Sequence, residues 1–145
     1  MTVQQNILTL ATQVVRKLIA NYNRELSELE ITTQQMIALR LLCLNEGLSL
    51  GEFAKKLKIR KSTAVSMIKR LESMELVTKE PHPQDARLNV LKPTHKTQEL
   101  MPKIRERIDG LENAIETQLG TPRLEKLSAL LSMLLSVESI EKKQI

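Results

Sequence analysis

The sequence predicts a mainly α chain that carries one small β-hairpin between its helices. Apolar residues recur every three or four positions over most of the 145 residues, the period of a one-sided helix. Glycine and proline are scarce, at 4 and 5 residues, so few positions interrupt that rhythm. One stretch does break it: Leu76 to Glu80 and Arg87 to Leu91 show partial alternation around Pro81-His82-Pro83-Gln84-Asp85, where two prolines forbid helix and favour a turn. The length suits a single domain, with one core of its own or a core shared across a dimer.

The first helix runs from Thr2 to about Leu29, on the spacing of Ile7, Leu10, Val14, Leu18, Tyr22, Leu26 and Leu29. Thr32-Thr33-Gln34-Gln35 reads as a capping box and starts a second helix, which runs to about Asn45 with Gly47 at its left-handed exit. Ser49-Leu50-Gly51-Glu52 repeats the device and opens a short helix that ends near Lys58, with Phe53, Ala54 and Leu57 on one face. A fourth helix spans Ser62 to Met74 and turns Ala64, Met67, Ile68, Leu71 and Met74 inward. The short link between the last two makes a helix-turn-helix. After the hairpin, Thr94 to about Leu119 is helical, with Pro102 as a kink and Gly120 as its close. Thr121-Pro122 then supplies a capping hydroxyl and a proline at the first helical position for a last helix through Leu124, Leu127, Leu130, Leu131, Leu134 and Val137.

Charge is concentrated where the helix-turn-helix falls. Lys55 to Lys92 hold ten Lys and Arg against four acids, a net +6 in a chain whose total is +5. Such a field on a lobe almost without aromatics is the footprint of a surface that meets a polyanion, duplex DNA in particular. No run approaches the roughly 18 apolar residues of a membrane span, and no charged segment followed by an apolar block marks the N-terminus, so a cytoplasmic protein is expected. A single cysteine builds no internal disulfide and agrees with a reducing compartment.

Several motifs along this order of elements resemble those of the MarR family of winged helix-turn-helix transcription regulators. Ile31-Thr32-Thr33-Gln34-Gln35 is similar to that family's Leu-Thr-x-x-Gln helix start, Lys69-Arg70-Leu71-Glu72 to the end of its recognition helix, and Asp85-Ala86-Arg87 to its wing. The chain departs from the pattern at Ala86, at Pro93, at Glu75 and Thr97 where glycine is usual, and at Val65 and Ser66 where a hydroxyl residue and an arginine are frequent. The resemblance implies a winged helix-turn-helix lobe over residues 31–93 and dimerisation helices over 1–30 and 94–145. It also implies a ligand-responsive regulator, most often a repressor, whose inducer is a small aromatic or phenolic molecule held between the dimer helices and the DNA lobe.

The recognition helix would enter the major groove, where side chains near its start reach base edges. The candidates there are Lys61, Ser62, Thr63 and Ser66, with Val65 packing against a thymine methyl; helix capping is an equal reading of Ser62 and Thr63. Lys69 and Arg70 would meet phosphates. Arg87 would enter the adjacent minor groove, where a narrow A·T-rich form concentrates negative potential, and Asp85 would orient its guanidinium. Ile7, Leu10, Val14, Leu124, Leu127, Leu131 and Leu134 are the dimer candidates, on a last helix extended to Ile140, because a two-fold pair spaces two recognition helices about one DNA turn, roughly 34 Å, apart. Cys43, beside Leu41, Leu42 and Leu44, reads as a small buried hydrophobe rather than an oxidant sensor, and His82 as a solvated turn residue.

No metal and no cofactor are expected. Three competing classes are weaker on the residues. A winged-helix adaptor for protein contacts would present an apolar recognition face, and this one is hydroxyl and basic. An RNA or single-strand binder needs stacking aromatics, and Tyr22 and Phe53, both outside the basic stretch, are the only two. An enzyme would need a nucleophile with a base, a phosphate-cradling loop or a ligand cluster, and none is evident.

Overall fold

The computed structural model describes residues 2–137. Two compact units are present, one ending at Ile108 and the other beginning at Asp109. In chain order the elements are α1 (Val3–Leu26), α2 (Thr33–Leu44), α3 (Leu50–Leu57), α4 (Lys61–Ser73), β1 (Val77–Pro81), β2 (Asn89–Pro93), α5 (His95–Leu119) and α6 (Thr121–Ser136). The first helix is shorter than its apolar period suggests: a 3-10 turn over Ser27–Leu29 and a left-handed Glu30 (φ 56°) stop it. The Ile140 assigned to the last helix lies outside the described residues.

Local capping chemistry sets several of these boundaries. Thr2 with Gln5 and Thr32 with Gln35 both form reciprocal capping boxes. At Ser49 only half of the box forms, because the Glu52 carboxylate accepts from the Ser49 hydroxyl at 3.0 Å rather than from its backbone. Thr121 does not cap α6: Gly120 is the cap residue, and the Thr121 hydroxyl donates to Glu116 Oε1 at 2.8 Å. The α2 start has a further anchor, since Asn23 Oδ1 accepts from both the amide and the hydroxyl of Thr33 at 2.8 and 2.7 Å. That bond satisfies one of the orphan amides of a helix start from a neighbouring helix.

The core of the first unit gathers one face from each element: Leu26, Met36, Leu39, Leu42, Phe53, Ala64, Ile68, Leu71, Ile104 and Ile108 are all buried. β1 and β2 pair antiparallel, with Val77 opposite Pro93 and Pro81 opposite Asn89. Leu48 adds a bridge to Leu91 on the other side of β2, so β1 is an edge strand. An edge strand tolerates Pro81, which belongs to the strand and not to the turn predicted for it. The turn sits two residues later, and Arg87 is in it rather than in a strand.

Both helices of the helix-turn-helix end in the same way. Ile59 N–H bonds Ala54 O and Lys58 N–H bonds Lys55 O after α3; Leu76 N–H bonds Leu71 O and Glu75 N–H bonds Glu72 O after α4. These are Schellman turns, whose pivot residue is left-handed and usually glycine. Here Lys58 (φ 53°) and Glu75 (φ 61°) hold that position. Glu75→Gly should therefore raise the stability of the chain by about 1 kcal/mol, read as a higher urea midpoint at unchanged m-value.

Candidate nucleic-acid interface

The recognition helix begins one residue earlier than its apolar pattern indicates, and this decides the reading of its hydroxyls. Arg60 is the N-cap residue and makes no side-chain capping bond; Lys61, Ser62 and Thr63 occupy the first turn and are exposed. Ser62 and Thr63 are thus not caps, and their side chains face solvent. Ser66 is exposed too, but its hydroxyl donates to Ser62 O at 3.2 Å. Val65 is half-buried on the same outward side, with Lys61, Ser62 and Lys69 as helical neighbours. Lys69 and Arg70 are exposed at the far end.

Ion pairing sorts the ten cations of the basic stretch into two groups. Lys79 pairs with Glu72 at 3.5 Å, Lys92 with Glu80 at 3.0 Å and Arg87 with Asp85 at 3.1 Å. Lys55, Lys56, Lys58, Arg60, Lys61, Lys69 and Arg70 have no ion-pair partner among the described residues, and all are exposed. The uncompensated field therefore sits on α3, its turn and α4. Sequence reasoning counted Lys55, Lys56, Lys58 and Arg60 in the charge but omitted them from the site. The apolar Ala54 and Ile59 flanking a short basic turn are the signal that a Schellman turn presents those cations.

The wing loop is held by its own polar groups. His82 N–H donates to Leu88 O at 2.8 Å, Leu88 N–H to Asp85 O at 3.0 Å and Gln84 N–H to His82 Nδ1 at 3.0 Å. Asp85 accepts from Arg87 three times, at its backbone amide (3.1 Å), Nε (3.1 Å) and Nη2 (3.2 Å). The Arg87 side chain keeps 89% of its surface exposed, so the fork aims a guanidinium outward without burying it. The same bonds hold the Asp85 carboxyl below the usual carboxylate range. Since these bonds favour the charged carboxylate, the pair is present above the ordinary Asp pKa and is lost only as pH falls through the lowered value.

The apolar candidates are on the surface. Ile7, Leu10 and Val14 of α1 are 49–52% exposed, and Leu127, Leu131 and Leu134 of α6 are 43–59% exposed, with Leu124 half-buried. Along α1 only Leu26 is buried. Cys43 is exposed, not the buried hydrophobe that its leucine neighbours suggested, although partial burial pushes its thiol pKa up. It borders a cavity of about 570 Å³ between α2 and α5, with Arg40, Leu44, Met101, Ile104 and Arg105. A second cavity of about 320 Å³ lies between α1 and α2, walled by Val15, Leu18, Ile19, Tyr22, Ile37 and Arg40. No helix of the described residues is long and apolar enough to cross a membrane.

Comparison with known proteins agrees with this architecture. The MarR family profile matches residues 31–88. The chain is 30% identical over 126 residues to the HTH-type transcriptional regulator FarR of Neisseria gonorrhoeae, spanning 87% of this chain and 86% of that protein. It is 27% identical to the HTH-type transcriptional regulator YybA of Bacillus subtilis strain 168, over 87% and 84% of the two chains. Among solved structures it resembles a mutant MarR of E. coli complexed with operator DNA, with TM-score 0.81, 23% identity and coverage of 93% and 99%. It likewise resembles the MepR–DNA complex of S. aureus, with TM-score 0.78, 22% identity and coverage of 88% and 92%. At those identities the structural likeness establishes the fold. Taken with the sequence relatives, it shows that the chain belongs to the MarR family of transcriptional regulators.

Proposed function

We propose that the chain acts as a homodimer that binds double-stranded DNA at a pseudo-palindromic operator and lets go when a small molecule binds, working as a repressor. The observation that carries this reading is the group of seven exposed cations on α3, its turn and α4, without ion-pair partners among the described residues, beside the exposed hydroxyls of Ser62 and Thr63. Lys61, Ser62, Thr63, Val65 and Ser66 would face base edges, with Ser66 the weakest donor because its proton is already committed. Lys69 and Arg70 would take phosphates. Arg87 would enter the minor groove from the wing tip, fixed by Asp85, and its exposure supports that role.

The exposed apolar stripes of α1 (Ile7, Leu10, Val14) and α6 (Leu124, Leu127, Leu131, Leu134) would be covered by a second copy, because a monomer in water rarely leaves so many large apolar side chains exposed. The division into a DNA lobe over 31–93 and dimerisation helices over 1–30 and 94–145 follows from that assignment. For the inducer, the cavity between α1 and α2 has apolar walls, a guanidinium at Arg40 and a volume at the lower end of ligand sites, roughly 300–1,000 Å³. Such a molecule would act by its difference in affinity between the DNA-fitting and non-fitting arrangements of the dimer. The chain would work in the cytoplasm as a binding protein and not as an enzyme, in keeping with its transcriptional-regulator relatives.

Selection of preferred sites from a random duplex pool tests the reading. Wild type should enrich an inverted repeat with A·T-rich flanks. Arg87→Ala should keep the half-site and lose the flank preference, whereas identical motifs for the two proteins would remove the wing assignment.

A further inference from the structure

Three successive carbonyls at the exit of the recognition helix each accept a side-chain hydrogen bond, and all three donors come from the start of α5. Lys96 Nζ reaches Met74 O at 2.9 Å, Thr94 Oγ1 reaches Glu75 O at 2.7 Å and Thr97 Oγ1 reaches Leu76 O at 2.6 Å. Leu76 O accepts a second bond, from Thr94 N–H at 3.0 Å. Thr97 is fully buried. Its hydroxyl has no water as an alternative partner, so the bond to Leu76 is the condition under which a polar group is tolerated there.

Apolar packing alone leaves a short helix free to roll or slide by fractions of a turn, because it is not directional. α4 packs inward through Ala64, Ile68 and Leu71. Directed bonds at residues 74, 75 and 76 remove that freedom at its C-terminal end, since each requires a carbonyl to point at a fixed donor. We infer that the first turn of α5 is a positioning clamp, with Thr97 as its lock, that sets the angle at which α4 presents the outward residues from Lys61 to Arg70. The inference rests on the DNA-binding reading for its functional consequence. The same bonds transmit any displacement of the α5 start to the reading face.

Thr97→Val removes the donor at nearly constant volume, Thr97→Ser retains it, and Lys96→Met breaks an outer bond without touching the core. Each is titrated by fluorescence anisotropy against a pool-selected duplex and a random duplex, at a temperature where all are folded. Thr97→Val should weaken the selected site about tenfold, the worth of one buried hydrogen bond, and the random duplex by less than about twofold. Thr97→Ser should match wild type, and Lys96→Met should shift the ratio in the same direction by less. Equal losses on both duplexes, or none on either, overturn the clamp. If wild type binds neither duplex, the DNA reading fails and amide exchange judges the clamp alone. Faster exchange confined to Glu75, Leu76 and the last turn of α4 in Thr97→Val and Lys96→Met supports it, and exchange unchanged or raised throughout the lobe overturns it.

Discussion

Replacing Lys69 and Arg70 together by alanine should reduce the slope of log affinity against log salt by about 3.5, because a dimer loses four phosphate contacts at about 0.9 each. Both side chains are exposed and have no ion-pair partner among the described residues, so the substitution breaks no ion pair there. Alanine is also the best helix former, so α4 should not weaken. The loss should be uniform across sequences, since phosphates carry no base information, and the selected motif should persist. Anisotropy titrations between about 50 and 200 mM salt measure the slope. A double variant with the wild-type slope would move the phosphate contacts elsewhere, to Lys55, Lys56 or Lys58 on α3 and its turn.

Phe53→Ala should cost about 3–5 kcal/mol, a large part of the total stability of a domain of this size. Phe53 has no exposed surface and is the largest side chain at the centre of the lobe, where α3 meets the buried faces of α2 and α4. Removal leaves a cavity that the helix-turn-helix resists collapsing around, because the C-terminal ends of both of its helices are fixed by Schellman bonds. Chemical denaturation followed by circular dichroism reads the loss, and a change under about 1 kcal/mol would show that the core is organised around other residues.

Local chemistry was legible in the chain and placement was not. The Thr32–Gln35 box could be read because both bonding groups lie within four residues. The Ser49 and Thr121 readings failed in part because a nearby carboxylate, Glu52 or Glu116, accepts a hydrogen bond from the hydroxyl, and nothing in the motif excludes that competitor. The recognition helix reads from Ser62 rather than from Lys61 because hydroxyl residues are the expected caps, whereas the cap here is Arg60, which makes no side-chain capping bond. The hairpin is legible but its turn sits about two positions later than alternation places it, since an edge strand admits Pro81. α2 is least readable: after its polar first turn Arg40 is its one polar residue, so period alone does not tell Leu39 and Leu42, which are core, from Ile37, Cys43 and Leu44, which are exposed. The bonds from Thr94, Lys96 and Thr97 to residues 74–76 join groups about twenty positions apart, and no local pattern announces them.

The paired reading of DNA rests on two surfaces at once, the cationic face of α3 and α4 and the apolar stripes of α1 and α6. Sedimentation equilibrium of the chain with a pool-selected duplex tests both together. The account predicts two chains per duplex, with the chain alone already dimeric. A monomer in solution that leaves the duplex sedimenting as free DNA would contradict it.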